Sequence, residues 1–445
     1  MASEGRAQRL ALLLAVASLL AALSASAQAP SVDGTIRVAP GVVVGEVSPS
    51  VYGVNYGAYG AVPFDLYPIV ETAGFRFLRY PGGHWGDLND IQRYQIDTIV
   101  AFARFIGAEP SVHVRLLNGT PEAAADLVRY ANVERGYAIR HWYVGNEPSL
   151  YRDYSVDDLN AAWRPIAEAM RDVDPDILLI GPEPHQWTGL PGRDPTDADG
   201  REWVRGFLEA NGDMIDVVAV HRYPFPRSSA DPGTTIDDLR RDTLEWTGLI
   251  SRLRALAEEV TGRDDLRYGV TEVNSHWSPT IGGEATNDSF FNAIWWADVL
   301  GKLIADGASI VNYFDLHSSD GRGGFGLFSN QGVRPTFHVY TLYALFGSLL
   351  VEAASDAPFV GAYAALRDDG VLTLLVTNLA DEPRRLALDL APEGPPEPLT
   401  LVEARLLDPD HAAVLVDDPR DTYGALRLSP RSALLLVFGE GVPAP

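Results

Sequence analysis

The chain has 445 residues and a formal net charge of −25 at pH 7, from 60 Asp and Glu against 35 Lys and Arg. Nucleic acid and anionic membrane surfaces are excluded as partners, because a field of that sign repels both, whereas neutral sugars are compatible with it. The chain contains no cysteine, so its stability must come from the burial of apolar surface, for which its length is ample.

The first residues have the features of an export signal. Arg6 and Arg9 precede an apolar run, Leu10–Leu23, which is followed by small residues ending at Ala27. This run of roughly 14 residues is shorter than the ~20 that span a bilayer, which favours a cleaved signal peptide over a membrane anchor. We predict a signal peptide over residues 1–27, no membrane association after its removal, and a secreted or periplasmic protein exported by a bacterium.

The next 300 residues predict a barrel. Residues 28–47 are strand-like and are expected to join a C-terminal sandwich. From 48 to 350, short apolar runs alternate with stretches of helical periodicity, which indicates parallel strands joined by crossover helices. The predicted strands are Val51–Tyr56, Phe75–Tyr80, Ser111–Leu116, His141–Val144, Ile177–Ile180, Val217–Val220, Arg267–Thr271 and Ser309–Phe314. The predicted helices include Ile91–Ile106, Pro121–Ala131, Val156–Val173, Ile236–Glu259 and Ser289–Ala305. Eight strands close a TIM barrel, so the predicted fold class is α/β, a (β/α)8 barrel.

The C-terminal region has a different periodicity. Beyond residue 350 apolar residues recur every second position, in the runs Val360–Leu366, Val371–Asn378, Arg384–Leu390 and Ser432–Phe438. The turn signal Asp368-Asp369-Gly370 joins the first two runs as a hairpin. We predict that residues 351–445, together with 28–47, form an accessory β-sandwich domain.

Two glutamates stand at the ends of predicted barrel strands. The fourth strand leads into Asn146-Glu147-Pro148, and the seventh leads into Glu272. The active site of a TIM barrel lies at the C-terminal ends of its strands, and strands four and seven face each other across the mouth. Glycosidic bond cleavage needs one acid to protonate the leaving oxygen and one carboxylate to attack the anomeric carbon or activate water. Glu147 and Glu272 are therefore the predicted catalytic pair.

Four segments carry a family resemblance. They are "WYVGNEP" at the fourth strand, "YGVTEVN" at the seventh, "RYPGG" at the second and "HRYP" at the sixth. Together they resemble glycoside hydrolase clan A, the retaining (β/α)8 glycosidases, and in particular families 39, 51 and 79, which pair the barrel with a β-sandwich. "RYPGG" and "GTPEAAADLVRYAN" are most similar to family 51 arabinofuranosidases, although the tryptophan-rich insertion of that family is missing between Gly83 and Ile99.

The resemblance implies a role for each matched residue. Glu147 would be the general acid and then the base, and Glu272 the nucleophile. Asn146 would donate to the sugar 2-hydroxyl, while Tyr223 and Arg79 would hydrogen-bond the nucleophile and keep it ionised. Partial burial would raise the pKa of Glu147, as an acid catalyst requires. No cofactor and no metal are implied.

Further residues at the strand ends are candidates for substrate contact. Including the three above, the predicted substrate-binding residues are Arg79, His84, Trp85, Asn146, Trp187, His221, Tyr223, His276, Trp277 and His317. Each has a structural alternative, since arginine can serve as an ion-pair partner, aromatic residues as packed loop core, and histidine as hydrogen-bonding scaffold.

The predicted function is a secreted retaining O-glycoside hydrolase that cleaves poly- or oligosaccharides by double displacement. One alternative is a metal-dependent barrel hydrolase, because His221, His276 and His317 follow neighbouring strands. The other is a non-catalytic glycan-binding protein built on the same barrel, which would be expected to have lost one of the two acids. The sequence does not specify the sugar, the linkage, exo or endo action, or the oligomeric state.

Overall fold

The computed structural model describes residues 30–58, 60–226, 233–318, 324–390 and 399–440. The predicted signal peptide, residues 1–27, lies outside this range. Within the described residues no helix is both long enough and apolar enough to cross a membrane.

Eight parallel strands close into a barrel, which confirms the predicted fold class. In barrel order they are β2 (Gly53–Asn55), β3 (Phe77–Tyr80), β4 (Glu109–Val114), β5 (His141–Val144), β6 (Leu178–Pro182), β7 (Val217–Arg222), β8 (Arg267–Val273) and β9 (Ile310–Tyr313). Their inward-facing side chains form a compact layer of Phe77, Tyr143, Ile180, Val217, Ala219 and Ile310, all buried. Because this layer fills the barrel, ligands can approach only from its ends.

The crossover helices surround the barrel. They are α1 (Tyr67–Thr72), α2 (Trp85–Leu88), α3 (Arg93–Ile106), α4 (Pro121–Val128), α5 (Val156–Val173), α6 (Trp203–Asn211), α7 (Ile236–Asp242), α8 (Leu249–Thr261), α9 (Phe290–Ala305) and α10 (Phe337–Tyr343). The best-specified is α5, where Ser155 and Asp158 form a capping box and the bounds agree with the sequence prediction.

Two predicted helices differ from the structure. The helix expected over Ile236–Glu259 is broken after α7 by a 3-10 turn, Thr243–Trp246, and restarts after Gly248, whose φ of 73° lies in the left-handed region. The buried Trp246 indole donates to Asp242 at 2.8 Å, which fixes this break. The helix expected over Pro121–Ala131 ends as an α-helix at Val128 and continues as a wider π-helical turn, Arg129–Glu134.

A separate curled sheet of nine strands forms the accessory domain. Its strands are β1 (Gly34–Glu46), β12 (Leu349–Ser355), β13 (Val360–Leu366), β14 (Leu372–Asn378), β15 (Arg384–Leu390), β16 (Leu399–Asp408), β17 (His411–Leu415), β18 (Leu426–Leu428) and β19 (Ser432–Glu440), in the order β17-β16-β19-β14-β13-β12-β1-β15-β18. A two-stranded hairpin, β10 (Phe328–Ser329) with β11 (Gly332–Val333), lies between the barrel and this sheet in sequence. The N-terminal strand β1 pairs antiparallel with β12 and parallel with β15.

Polar contacts join the barrel to this sheet. Asp298 of α9, which is buried, accepts from the hydroxyls of Tyr363 and Thr377, each at 2.8 Å, and also pairs with Lys302. The guanidinium of Arg240 donates to the carbonyl oxygen of Leu379 at 2.8 Å. These contacts hold the sheet against the outer helices, on the flank of the barrel.

Candidate active site

A cleft of about 730 Å³ opens at the C-terminal ends of the barrel strands. Its lining residues are Gly83, His84, Trp85, Glu147, Leu150, His185, Gln186, Tyr223, Glu272, Trp277, Phe314, Asp315, Ser318 and Phe325. Both predicted catalytic glutamates are among them. The mixture of aromatic faces and convergent polar groups is typical of a small-molecule site.

Glu147 is held in a strained conformation at the end of β5. Gly145 and Glu147 both have positive φ, 86° and 46°, and Pro148 then starts a 3-10 turn, Pro148–Leu150. A left-handed conformation costs a non-glycine residue about 1–3 kcal/mol and persists only where its surroundings impose it. Here the Glu147 amide donates to the carbonyl oxygen of Glu183 at 3.2 Å, which ties the end of β5 to the end of β6.

Two histidines contact the Glu147 carboxylate. His221 Nδ1 lies 3.1 Å from Oε1, and His84 Nε2 lies 3.3 Å from Oε2. Burial raises the pKa of Glu147, as we expected, but hydrogen bonds from His221 and His84 outweigh burial and hold that pKa below its ordinary value. The net shift of the Glu147 pKa is therefore opposite to the expected one. Burial lowers the pKa of His221, but Glu272, Glu147 and Glu183 outweigh that effect and raise it to about 9.

Glu272 is surrounded by donors. Its Oε1 accepts from Arg79 Nη1 at 2.8 Å and from the Gly83 amide at 2.7 Å, and its Oε2 accepts from the Tyr223 hydroxyl at 2.7 Å. The side chain is buried at the end of β8. These three donors hold the carboxylate in one orientation, and an oxygen of Glu147 lies within 4.8 Å of an oxygen of Glu272.

Arg79 hydrogen-bonds to four side chains of the site from the interior of the barrel. Its Nη1 donates to Asn55 at 2.9 Å as well as to Glu272, and its Nη2 donates to Asn146 at 2.8 Å and to Glu183 at 2.6 Å. The guanidinium is fully buried and lies 4.8 Å from the centre of the Tyr143 ring in the barrel interior. Burial lowers its pKa, but Glu183 and Glu272 outweigh burial and raise it, so Arg79 is a permanent cation.

Glu183 is a functional candidate that the sequence analysis missed. It is the third glutamate of the cluster, 1% exposed, with a positive φ of 55°. Burial raises its pKa, but Arg79 and His221 outweigh burial and lower it. A signal was present, because a Glu-Pro pair follows the end of a barrel strand in both places, Glu183-Pro184 directly after β6 and Glu147-Pro148 with two residues between it and the end of β5.

The predicted substrate-binding residues divide into three groups. His84, Trp85, Tyr223 and Trp277 line the cleft. Arg79, Asn146 and His221 lie beneath it, in contact with the two glutamates or with Arg79 itself. Trp187, His276 and His317 are buried and do not line the cleft.

The residues of the third group have the burial of scaffold positions. Trp187 is 3% exposed and packs in the main core, so it offers no stacking face to a sugar. His276 contacts the hydroxyls of Ser275 and Thr234, each at 2.9 Å, and burial lowers its pKa to about 4. His317 is likewise buried, at 4% exposure. Residues outside the predicted set also line the cleft, among them Gln186, Phe314, Asp315 and Phe325.

One group of donors among the described residues is close enough to share a cation. It comprises Glu147, His221 and Glu272, and includes neither His276 nor His317. The lone pairs of Glu272 already accept from Arg79, Gly83 and Tyr223, and the guanidinium beside it would repel a divalent ion. We therefore interpret the group as an acid–base site.

Solved structures with similar folds include glycosidases. The chain superposes on a family 51 α-L-arabinofuranosidase from Bifidobacterium longum with a TM-score of 0.73 and 17% identity, covering 92% of this chain and 100% of that one. The likeness is one of fold, a (β/α)8 barrel with an accessory β domain. A Thermotoga maritima α-L-arabinofuranosidase, in complex with arabinose, matches with a TM-score of 0.68 and 17% identity over 91% of this chain and 99% of that one. A Paenibacillus polymyxa family 44 xyloglucanase matches with a TM-score of 0.68 and 14% identity over 92% and 100%.

Comparison by sequence gives no such match. No protein-family model matches the chain, and no curated protein matches it. At 14–17% identity the structural likeness shows the shared fold alone, and a fold of this kind does not by itself specify a function.

Proposed function

We propose that this chain is a retaining O-glycoside hydrolase, exported from a bacterial cell, that cleaves oligo- or polysaccharides by double displacement. The observation that carries the proposal is the pair of carboxylates in the cleft, Glu147 and Glu272, whose oxygens approach within 4.8 Å. Retaining glycosidases hold their two carboxyl groups about 5–5.5 Å apart, whereas inverting ones need about 6.5–9.5 Å to admit a water molecule.

Glu272 has the surroundings that the nucleophile needs. Arg79, Gly83 and Tyr223 donate to both of its oxygens, so the carboxylate is fixed before substrate arrives. In the first step an oxygen of Glu272 attacks the anomeric carbon and the glycosidic C–O bond breaks. The positive charge that develops on the sugar is stabilised by the neighbouring carboxylate, and the glycosyl group is left bound to Glu272.

Glu147 acts as the general acid in the first step and as the general base in the second. It gives a proton to the leaving oxygen in the first step, so that the leaving group departs as a neutral alcohol. In the second step it takes a proton from water, and that water attacks the anomeric carbon on the face left by the leaving group. The sugar keeps its configuration, and both glutamates return to their starting states.

Asn146 can form a hydrogen bond that orients the sugar. Its Oδ1 accepts from Arg79 at 2.8 Å, which directs its Nδ2 toward the side of the site where His84 Nδ1 lies, at 3.5 Å. That leaves the Nδ2 group as a donor for a sugar hydroxyl. Trp85 and Trp277, which line the cleft, offer aromatic faces for sugar C–H groups.

The experiment is hydrolysis of a panel of aryl glycosides and plant and microbial polysaccharides, with product analysis and with Glu272→Ala as the matched inactive control. Turnover by the wild type that is unchanged in chelator and absent from the variant would support the proposal. Binding of a glycan without turnover of any panel member would favour the non-catalytic alternative. Activity lost in chelator and restored by a divalent ion would favour the metal-dependent one.

A further inference from the structure

His221 lies between three carboxylates. Its Nδ1 is 3.1 Å from Oε1 of Glu147 and 3.6 Å from Oε2 of Glu272, while its Nε2 is 3.5 Å from Oε1 of Glu183. The imidazole is completely buried. Neither His221 Nε2 nor Glu183 Oε1 has a hydrogen bond of ordinary geometry among the described residues, and at 3.5 Å the two atoms are ion-pair partners.

The position of Glu183 controls which nitrogen of His221 carries a proton. A carboxylate beside Nε2 favours a proton on that nitrogen, because an anion accepts and cannot donate. Nδ1 is then either the acceptor of a proton held by Glu147 or, in the imidazolium, a donor to the Glu147 carboxylate. In both arrangements the Glu147–His221 pair holds one transferable proton.

We infer that Glu183 is a positioning residue which, acting through His221, keeps this transferable proton on the Glu147–His221 pair for delivery to the glycosidic oxygen. The inference rests on the proposed function. Glu183 does not line the cleft, so it would act on a bound sugar only through other residues. Its part is to orient the imidazole and to make loss of the proton costly.

The charges around the imidazole support this role. Facing His221 are Glu147 from the end of β5, Glu183 and His185 from the segment after β6, and Glu272 from β8. Arg79 pairs with Glu183 and Glu272 and supplies one positive charge for two negative ones. With its proton the Glu147–His221 pair is neutral, and the cluster of Glu147, His221, Glu183, Glu272 and Arg79 carries one net negative charge. His84, which contacts the other oxygen of Glu147, lies outside this count. Without the proton the cluster would carry two, so the anion at Glu183 opposes deprotonation.

The inference resolves a difficulty with Glu147. The histidines hold its pKa below the ordinary value, which by itself is unfavourable for an acid catalyst. A shared proton removes the difficulty. When the leaving oxygen accepts the proton from Glu147, the imidazole is left neutral with Nε2–H toward Glu183, and the proton returns when Glu147 deprotonates water in the second step.

The test is the pH dependence of kcat/KM in Glu183→Gln, measured on an aryl glycoside with a poor leaving group. Glutamine keeps the volume and can still accept from Arg79, but the charge is lost. We expect the basic limb of the profile to move to lower pH by about one unit, a roughly tenfold loss at a fixed pH above the limb, because a neighbouring charge shifts a pKa by about 1–3 units. A substrate with a good leaving group should show little of this loss. The matched control is Glu168→Gln, at a glutamate 55% exposed, which should leave the limb in place.

A structural role for Glu183 would give a different result. It would lower turnover of both substrates equally and leave the basic limb unmoved, which would overturn the inference. His221→Gln removes the imidazole itself, so in that background Glu183→Gln should produce no additional shift. A shift that persisted without His221 would also overturn the inference.

A second measurement does not need activity. The titration of His221 can be followed by NMR of protein labelled with 15N-histidine, with His221→Gln assigning the signal. Its midpoint should lie above that of an ordinary histidine in the wild type and fall in Glu183→Gln. An ordinary midpoint in the wild type would refute the inference even if the variant did not fold. If the wild type hydrolysed no glycoside, the proposed function would fail, and the titration would still decide whether Glu183 holds a proton on His221.

Discussion

Replacing Arg79 by methionine is expected to destabilise the protein in a way that depends on pH. The guanidinium donates four hydrogen bonds, two of them to the buried carboxylates of Glu183 and Glu272. Methionine has a similar length but no charge, so it leaves two buried anions without their cation. Breaking a buried ion pair from one side costs about 3–5 kcal/mol. For a chain of this size that corresponds to a fall in Tm of about 4–6 °C near neutral pH.

The sign of the pH dependence follows from Glu183. In the wild type its pKa is lowered in the folded state, so its contribution to stability is present above the unfolded value and is lost as the pH falls. Without Arg79, burial would raise that pKa, so stability would instead be lost as the pH rises. The difference in unfolding free energy between wild type and Arg79→Met should therefore be larger at about pH 8 than at about pH 5, with a slope of at most about 1.4 kcal/mol per unit for each carboxylate.

Urea denaturation at both pH values measures this difference. The matched control is Arg241→Met, which removes the same charge from a side chain 68% exposed and 3.7 Å from its partner Asp237. An exposed pair is worth about 0–1 kcal/mol, so the control should change little and show no such trend. Equal destabilisation by Arg79→Met at the two pH values, or a smaller effect at the higher one, would refute the argument that Arg79 serves as counter-ion to the buried carboxylates.

Five further substitutions give separate expectations. Glu272→Ala should abolish turnover of every substrate, whereas Glu147→Ala should cost about 10²–10⁴-fold on poor leaving groups and spare good ones; equal losses on both kinds would contradict the assignment. Asn146→Ala should lower kcat and kcat/KM together if its hydrogen bond strengthens in the transition state, whereas a change in KM alone would make it an ordinary binding contact. Trp277→Ala should raise KM for oligosaccharides with little change in unfolding free energy, since that side chain lines the cleft and is 47% exposed. Trp187→Ala should instead cost about 3–5 kcal/mol in urea denaturation, and normal stability would show that its packing has been misread.

The barrel and its two catalytic candidates could be predicted because they depend on local patterns. Each parallel strand is buried on both faces and appears as a short apolar run, and every predicted barrel strand overlaps an observed one. Glu147 and Glu272 follow such runs, and the barrel topology then brings them to the same mouth. The positions of these two residues along the chain were enough to predict that they lie at the same mouth of the barrel.

The network around the glutamates could not be predicted in the same way. Glu183 depends on contacts with Arg79 from β3 and His221 from β7, so its role becomes visible only when three strand ends are in place. The pKa of Glu147 was assigned the wrong direction for the same reason. The sequence indicated burial, while the opposing histidines come from two other segments.

Side-chain direction in the loops was also beyond sequence reasoning. Trp187 follows β6 and Trp277 follows β8 in similar aromatic and polar contexts, yet the first is core and the second lines the cleft. The Trp187 amide donates to the carbonyl oxygen of His221 at 3.1 Å, which holds this loop against β7. A difference of this kind is set by tertiary hydrogen bonds that local patterns do not contain.

Direct attack of Glu272 on the anomeric carbon fixes the stereochemistry of hydrolysis, which can be measured. An aryl glycoside found to be a substrate would be hydrolysed in an NMR tube, and the anomeric proton of the first-formed sugar would be recorded before mutarotation. With carboxylate oxygens within 4.8 Å of each other, we predict a product that keeps the configuration of the substrate. A first-formed product of inverted configuration would contradict the double displacement and would make Glu272 the base for an attacking water.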